Sequence, residues 1–360
     1  MTKTIALMTG GGDCPGLNAA IRAMTRIARY EYGDRVVGIE DGFEGLIEGR
    51  YRELDIADTR GILRIGGTIL GTSNRTDPTQ YVAPGETEPR DRSDEAFATL
   101  QKVGADALIV IGGDGTMYLT HQFAKGRIPV VGIPKTIDND VHGTDYAIGF
   151  QTCITTVTDA IDKLHTTAES HHRLVLLEVM GRSAGWVALY AGIAGGADVI
   201  LVPERTYSIE RILAKVRERE ARGSHFTIGV VAEGSATPTG EMVYRARQGS
   251  EHHWKLGGVC FALAEALQQR TSRDVRGLVL GHIQRGGSPV VFDRLLATQL
   301  GAAAIHAVHD GADGVMIGLD GTRVRRVPLA EVAIGPRRVP ADNEMIRAAE
   351  TMGLYVGEPR

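Results

Sequence analysis

The sequence reads as an α/β protein with doubly wound, mostly parallel sheets divided between two domains. Three observations carry that expectation. Short apolar, β-branched runs recur along the 360 residues, each followed by glycine-rich or polar punctuation and then by helical periodicity. The runs lack the polar/apolar alternation of a sheet with one wet face, which argues for parallel strands covered on both sides. Glycine accounts for 46 residues, about one in eight against an average near 7%, and glycines cluster where the runs end.

Ile5 to Met8 opens the series. It leads into Thr9-Gly10-Gly11-Gly12-Asp13-Cys14-Pro15-Gly16-Leu17-Asn18 and then a helix whose apolar Leu17, Ala20, Ile21, Met24, Ile27 and Ala28 fall on one face. Val36 to Ile39, Ala107 to Ile111 and Val130 to Ile133 continue the strand pattern, followed by Leu174 to Val179, Val199 to Val202, Thr227 to Ala232 and Leu278 to Leu280. Thr76 to Ser93 and Gly234 to Gly258 have no sustained period and read as loops or lids. A composition shift near Gly149 to Thr156 marks entry into a second sheet, since the preceding strands already make a sheet of common size. The expected domains are 1–149 plus about 284–330, and about 150–283 plus 331–360. No period of 20 to 50 residues suggests a solenoid or propeller.

Composition removes several function classes. Forty Lys and Arg against 44 Asp and Glu give a net charge of −4, and no basic block is long enough to track a nucleic-acid backbone. No apolar run approaches the roughly 20 residues of a membrane span, and MTKTIALMTGGGD lacks the apolar length and cleavage site of a signal peptide. A cytoplasmic location is expected. Cys14, Cys153 and Cys260 are odd in number and far apart, which suits reduced structural thiols.

Ligands of open parallel sheets bind beyond the carboxyl ends of the strands, so the turns there carry the chemistry. Gly10 to Gly12 can direct backbone N–H groups at an anion beside a helix N-terminus, although a tight turn needs glycines too. The turn is neither a Walker loop nor a GxGxxG followed by a ribose-binding acid. Gly112-Gly113-Asp114-Gly115-Thr116 sets one carboxylate among glycines, suited to holding Mg²⁺ through waters or to capping a helix. Pro134-Lys135-Thr136-Ile137-Asp138-Asn139-Asp140 combines a cation, a hydroxyl and two carboxylates. One carboxylate positioned there can take the proton of a substrate hydroxyl during phosphoryl transfer, while Asx turns are the structural alternative. Arg173, Arg182, Arg276 and Arg285 flank two later strands, and arginine beside glycine suits a planar grip on phosphate. His171-His172 and His252-His253 are adjacent pairs, read as strand neighbours on opposite faces and hence not as metal clamps.

Taken in order, GGGDCPGLN, GGTILGTSNR, GGDGT, PKTIDND, GTDYAIGF, EVMGRSAGW and GHIQRGGSP resemble the phosphofructokinases from residue 9 to 289, with FDRLLATQLGAAAI extending the match to 305. The resemblance implies a 6-phosphofructokinase using MgATP on the 1-hydroxyl of fructose 6-phosphate. It implies Gly12, Arg75, Thr76, Gly113, Gly115 and Thr116 at the nucleotide and Asp114 at Mg²⁺. Asp138 would be the base, supported by Thr136, Asp140 and Lys135, with Arg182 stabilising the moving phosphoryl group. Met180, Gly181, Glu233, His282 and Arg285 would form the sugar-phosphate site. Arg173 and Arg276 would complete that site in a neighbouring subunit, in a homotetramer with the dimer as minimum.

The chain departs from the family's patterns at two places. Gly115, as in ATP-using members, occurs with Lys135, as in pyrophosphate-using members. Room for the α-phosphate at Gly115 favours ATP, with pyrophosphate the alternative donor. Arg22 and Arg26 match two effector-site arginines, whereas Ala57 and His165 replace other basic positions, so the resemblance leaves feedback by ADP or phosphoenolpyruvate open. A catalytically silent sugar-phosphate or nucleotide sensor is the reading of another class, disfavoured because Asp138 and Arg182 are both present.

Overall fold

The computed structural model describes residues 1–74, 76–236 and 257–359, with the backbone of 244–245 and 255–256. Two compact units form: Met1–Thr152 with Arg285–Pro336, and Cys153–Gln284 with Arg337–Arg360.

The strands are β1 (Thr4–Thr9), β2 (Arg35–Ile39), β3 (Tyr51–Leu54), β4 (Ala107–Gly112), β5 (Val130–Pro134), β6 (Leu174–Val179), β7 (Val199–Leu201), β8 (Arg205–Thr206), β9 (Thr227–Ala232), β10 (Tyr244–Arg245), β11 (Lys255–Leu256), β12 (Val275–Val279), β13 (Val315–Asp320), β14 (Arg323–Pro328) and β15 (Glu358–Pro359). The helices are α1 (Leu17–Ile27), α2 (Phe43–Glu48), α3 (Ser93–Val103), α4 (Asp114–Ala124), α5 (Phe150–His171), α6 (Trp186–Ala194), α7 (Ile209–Ala221), α8 (Val259–Gln268), α9 (Val291–His309), α10 (Leu329–Val332) and α11 (Glu344–Thr351).

The first unit holds a seven-stranded sheet in the order β14-β13-β5-β4-β1-β2-β3. Its inner strands run parallel, and only β3 and β14, at the two edges, are antiparallel to their neighbours. Ile5 to Met8 and Leu108 to Ile111 are fully buried, as expected of strands covered on both faces. The amphipathic α1 turns Leu17, Ala20, Ile21 and Met24 inward and packs against α9. The second unit holds the all-parallel sheet β12-β6-β9-β7.

Sequence patterning misses β3, β13 and β14. β14 reads RVRRVP, with four of its six residues exposed, and an edge strand needs no apolar run. The last strand of the second sheet runs from Val275 to Val279, three residues before the expected start, so Arg276 lies within it and not ahead of it. The polar Arg276 and the small Gly277 hide its beginning in the sequence. His171 closes α5 and His172 has φ 53°, so this pair is not on a strand. His252 and His253 lie outside the described residues.

The start of α5 depends on a residue distant in sequence. Asp293, fully buried on α9, accepts from the backbone N–H of Gly149 at 3.1 Å and of Thr152 at 2.7 Å, and from the Thr152 hydroxyl at 2.5 Å. Burial pushes the Asp293 carboxyl above its ordinary range, while bonds from Thr152, Gly149 and Gln151 act in the opposite direction. One carboxylate therefore supplies the cap that the sequence of α5 lacks. Asp293→Ala is expected to destabilise the protein by about 1.5–3 kcal/mol, the range for hydrogen bonds to a charged group, measured by denaturant unfolding.

Candidate active site

In the first unit the turns after β1, β4 and β5 meet, because these strands are neighbours. Gly112 pairs with Pro134 in register, the Lys135 N–H donates to the Gly112 carbonyl at 2.8 Å, and the Gly10 N–H donates to the Ile111 carbonyl at 2.9 Å. Around them opens a cavity of about 440 Å³, lined by Gly11, Gly12, Thr76, Gly113, Asp114, Gly115, Thr116, Lys135, Thr136, Asp138, Asp140 and Arg285. Phe43 and Tyr118 line it too, two aromatic residues that no sequence motif singled out.

The glycines of the first turn permit close approaches. A Cβ on Gly12 would lie 2.7 Å from Nη1 of Arg285, and that same Nη1 donates to the Asp13 carbonyl at 3.1 Å. Thr116 is buried and wedged against Gly10 and Gly112, where added Cβ atoms would meet its Cγ2 at 2.6 and 2.4 Å. Its side chain thus serves packing as well as lining the cavity. Thr76 shares a hydrogen bond with the Ser73 hydroxyl at 2.8 Å, and Arg75 lies outside the described residues.

Asp114 is the first residue of α4, with Gly113 at the N-cap and no side-chain cap bond. Asp114 is therefore not the N-cap itself, and its charge in the first turn favours the helix N-terminus. Gly115 follows, and a Cβ built there would meet nothing within 4 Å. Lys135 is 3% exposed, and its ammonium donates to the Gly12 carbonyl at 2.5 Å. Burial pulls its pKa down.

Asn139 sets the geometry of the last turn. It adopts φ 51°, its Oδ1 accepts from the Ala147 N–H at 2.9 Å, and its Nδ2 donates to the Asp145 carbonyl at 3.0 Å. The middle residue thus ties the turn to a later stretch of the chain, while Asp138 and Asp140 on either side both line the cavity. The Asp138 N–H donates to the Thr136 hydroxyl at 3.1 Å. Burial, then the charges of Asp138 and Asp114, push the Asp140 carboxyl up to about 7. Among the described residues no group of three His, Cys, Asp or Glu is arranged to hold a metal by itself.

The second unit repeats the arrangement on another sheet. Met180, Gly181 and Arg182 follow β6, Glu233 follows β9, and His282 follows β12, again three neighbouring strands. The Glu233 N–H donates to the Val179 carbonyl at 2.9 Å and the Gly234 N–H to the Gly181 carbonyl at 3.1 Å. A Cβ on Gly234 would lie 2.0 Å from the Arg182 carbonyl oxygen, so the turns touch backbone to backbone. Arg182 and His282 are exposed.

Arg173 and Arg276 lie elsewhere. They sit at the amino ends of β6 and β12, where both Nε atoms donate to the same Oδ2 of Asp274, at 2.8 and 3.1 Å. Both guanidinium groups hold the Asp274 carboxyl below its ordinary range, the Arg173 bond most strongly. The spacing Arg173…Asp274-Val275-Arg276 gave no sign of this triad, because the pairing of β12 with β6 creates it.

Of the residues matched to an effector site, Arg22 and Arg26 are half-buried on α1 and Ala57 sits in the short turn Ile56–Thr59. His165 is engaged within its own unit. Its Nε2 shares a 2.7 Å hydrogen bond with the Gly195 carbonyl, and its ring stands edge-on to Phe226.

A family model described as Phosphofructokinase matches residues 4–308. The chain is 47% identical over 360 residues to an ATP-dependent 6-phosphofructokinase of Chloroflexus aggregans, covering 99% of this chain and 98% of that protein. It is also 47% identical over 329 residues to a pyrophosphate–fructose 6-phosphate 1-phosphotransferase of Streptomyces coelicolor, covering 91% and 93%. The T-state phosphofructokinase structure from Pichia pastoris matches with a TM-score of 0.80 and 33% identity, over 92% of this chain but only 38% of that longer one.

The crowding at Asp140 has a consequence for stability. With its folded pKa near 7 and the ordinary value near 4, the folded state binds more protons than the unfolded one between these limits. Stability then falls as pH rises through that window. Asp140→Asn is expected to raise the melting temperature at pH 7.5 by a few degrees, with the gain shrinking toward pH 4.5, as followed by thermal unfolding in metal-free buffer.

Proposed function

The chain belongs to the phosphofructokinase family, and we propose that it transfers the γ-phosphoryl group of ATP to the 1-hydroxyl of D-fructose 6-phosphate. The products are fructose 1,6-bisphosphate and ADP, the committed step of glycolysis. The observation that carries the donor assignment is the open space beside Gly115. A carboxylate at that position would stand against the α-phosphate of a nucleotide, whereas glycine leaves a path along the cavity toward Phe43 and Tyr118. Lys135 and the Streptomyces coelicolor relative favour pyrophosphate as a second reading of the donor.

Gly11 and Gly12 supply backbone close to the donor's phosphates, Thr76 lines the same cavity, Arg75 is assigned to the phosphates by its motif alone, and Lys135 fixes the turn through the Gly12 carbonyl. Asp138 accepts the 1-hydroxyl proton as the oxygen attacks, and Arg182 meets the charge on the transferring group. Met180, Gly181, Glu233, His282 and Arg285 bind the sugar phosphate. The donor set fits a divalent cation: Asp114, Asp138 and Asp140 line one cavity, where burial and then the charges of Asp138 and Asp114 lift the Asp140 carboxyl toward neutrality. Mg²⁺ held by Asp114, waters and phosphates supplies charge neutralisation there.

Arg173 and Arg276 belong to a neighbour's site in this reading, and their position supports it. They stand at the amino ends of parallel strands whose carboxyl ends carry Met180 and His282. A six-residue strand such as β6 spans about 20 Å, too far for one fructose 6-phosphate to bridge. Exposed Phe261, Leu278 and Val279 on the adjoining surface suit burial against a second copy, with a homotetramer as the full assembly. No helix among the described residues is long and apolar enough to cross a membrane. A cytoplasmic location is part of this proposal and rests on the glycolytic reaction assigned to the chain.

Coupled assays with fructose 6-phosphate test both assignments. Asp138→Asn is expected to lower kcat by about 10²- to 10⁴-fold, the contribution of a positioned base, while equilibrium binding of fructose 6-phosphate changes little; near-normal turnover would remove Asp138 from the reaction. Gly115→Asp, whose side chain enters open space and leaves folding intact, is expected to lower kcat/KM for ATP by at least about 100-fold through like-charge repulsion. A parent enzyme preferring pyrophosphate would reverse the donor assignment.

A further inference from the structure

Gln284 is fully buried, yet it carries an amide in the turn after β12 that supplies His282. Its Oε1 accepts from the Met180 N–H at 3.1 Å, and its Nε2 donates to the Gly281 carbonyl at 3.0 Å. The Cys153 thiol lies 4.0 Å from the same Oε1. The amide therefore joins the two turns that flank the sugar-phosphate site of the second unit, the one carrying Met180 to Arg182 and the one carrying His282. The second of these turns is the 3₁₀ segment Gly281–Arg285. Gly181 has φ 133° and Gly281 has φ 60°, so both are built on residues with the broadest backbone freedom.

The chemistry of the bridge is specific. One end must accept a hydrogen bond and the other must donate, as a carboxamide does and an apolar side chain or a carboxylate does not. A buried amide costs free energy unless both ends are satisfied, and a residue needed only to fill this volume would be better as Leu or Met. We propose that Gln284 is a positioning residue for fructose 6-phosphate, setting the distance between the Met180–Arg182 turn and His282. This rests on the sugar-phosphate site described under the proposed function. Gln284 itself touches no reacting atom.

Two variants separate positioning from folding. Gln284→Met keeps the volume and removes both hydrogen bonds. It is expected to raise KM for fructose 6-phosphate about tenfold or more, with KM for ATP changed less than about twofold; a tenfold change corresponds to about 1.4 kcal/mol, one lost hydrogen bond. Gln284→Glu is isosteric and, when protonated, can both accept and donate. Burial raises the pKa of such a carboxyl, so its KM for fructose 6-phosphate, taken as a ratio to the parent enzyme at each pH, is expected near one at pH 6 and to climb about tenfold by pH 8.5. A bulk structural role moves KM for both substrates together and gives no such pH-dependent ratio. An unchanged KM for fructose 6-phosphate in Gln284→Met, equal effects on both substrates, or a flat ratio for Gln284→Glu would each overturn the proposal. If the parent chain fails to turn over fructose 6-phosphate, the functional reading fails instead, and hydrogen exchange at the Met180 amide still tests the bridge: protection is expected in the parent and lost in Gln284→Met.

Discussion

The parallel pairing of β1, β4 and β5 is the constraint on which the first unit's chemistry depends. Parallel strands end on the same side of a sheet, so three turns far apart in sequence are delivered to one edge. The register then fixes them within hydrogen-bond reach, through the contacts of Gly10 with Ile111 and of Lys135 with Gly112. The strands themselves contribute only buried apolar surface. Their immobility leaves the turns free to carry glycines, carboxylates and a lysine that no stable strand interior would tolerate.

The cavity shows how charge is arranged once the scaffold is set. Three carboxylates, Asp114, Asp138 and Asp140, share the lining with Lys135 and Arg285. Both cations are tied to main-chain carbonyls, Lys135 to Gly12 and Arg285 to Asp13. Their side chains thus brace the glycine-rich turn, while burial, and after it the repulsion of Asp138 and Asp114, lifts Asp140 toward neutrality. Such a site is destabilised when empty of counter-charge and is relieved by a cation and a phosphate-bearing ligand, the partners that phosphoryl transfer brings.

The second unit uses the same device with different contents. β12, β6 and β9 send three turns to one edge, held by backbone contacts at Glu233 and Gly234 and by the Gln284 amide. At the opposite edge Arg173 and Arg276 converge on Asp274. One carboxylate keeps two guanidinium groups side by side. Two ends of a single sheet thus carry two different polar clusters, the Met180–Arg182 turn with His282 at one and Arg173 with Arg276 at the other.

The sequence by itself determined the α/β class, the strands at Ile5, Ala107, Val130, Leu174 and Thr227, and the turns that follow them. Those features are local: a β-branched run, a glycine surplus and a helical period each occupy a few neighbouring residues. The edge strands β3 and β14 and the true start of β12 were invisible because they gain their place by pairing and not by burying an apolar run. Only the tertiary structure decided that Asn139 ties its turn to Asp145 and Ala147, that Gly113 and not Asp114 is the N-cap of α4, and that Lys135 binds the Gly12 carbonyl. It alone joined Asp293 to Thr152, Gln284 to Met180 and Asp274 to Arg173, residues more than 100 positions apart in each case. Contacts of that kind depend on strand order and register, which are set by the packing of the whole sheet and leave no mark on the composition of either partner segment.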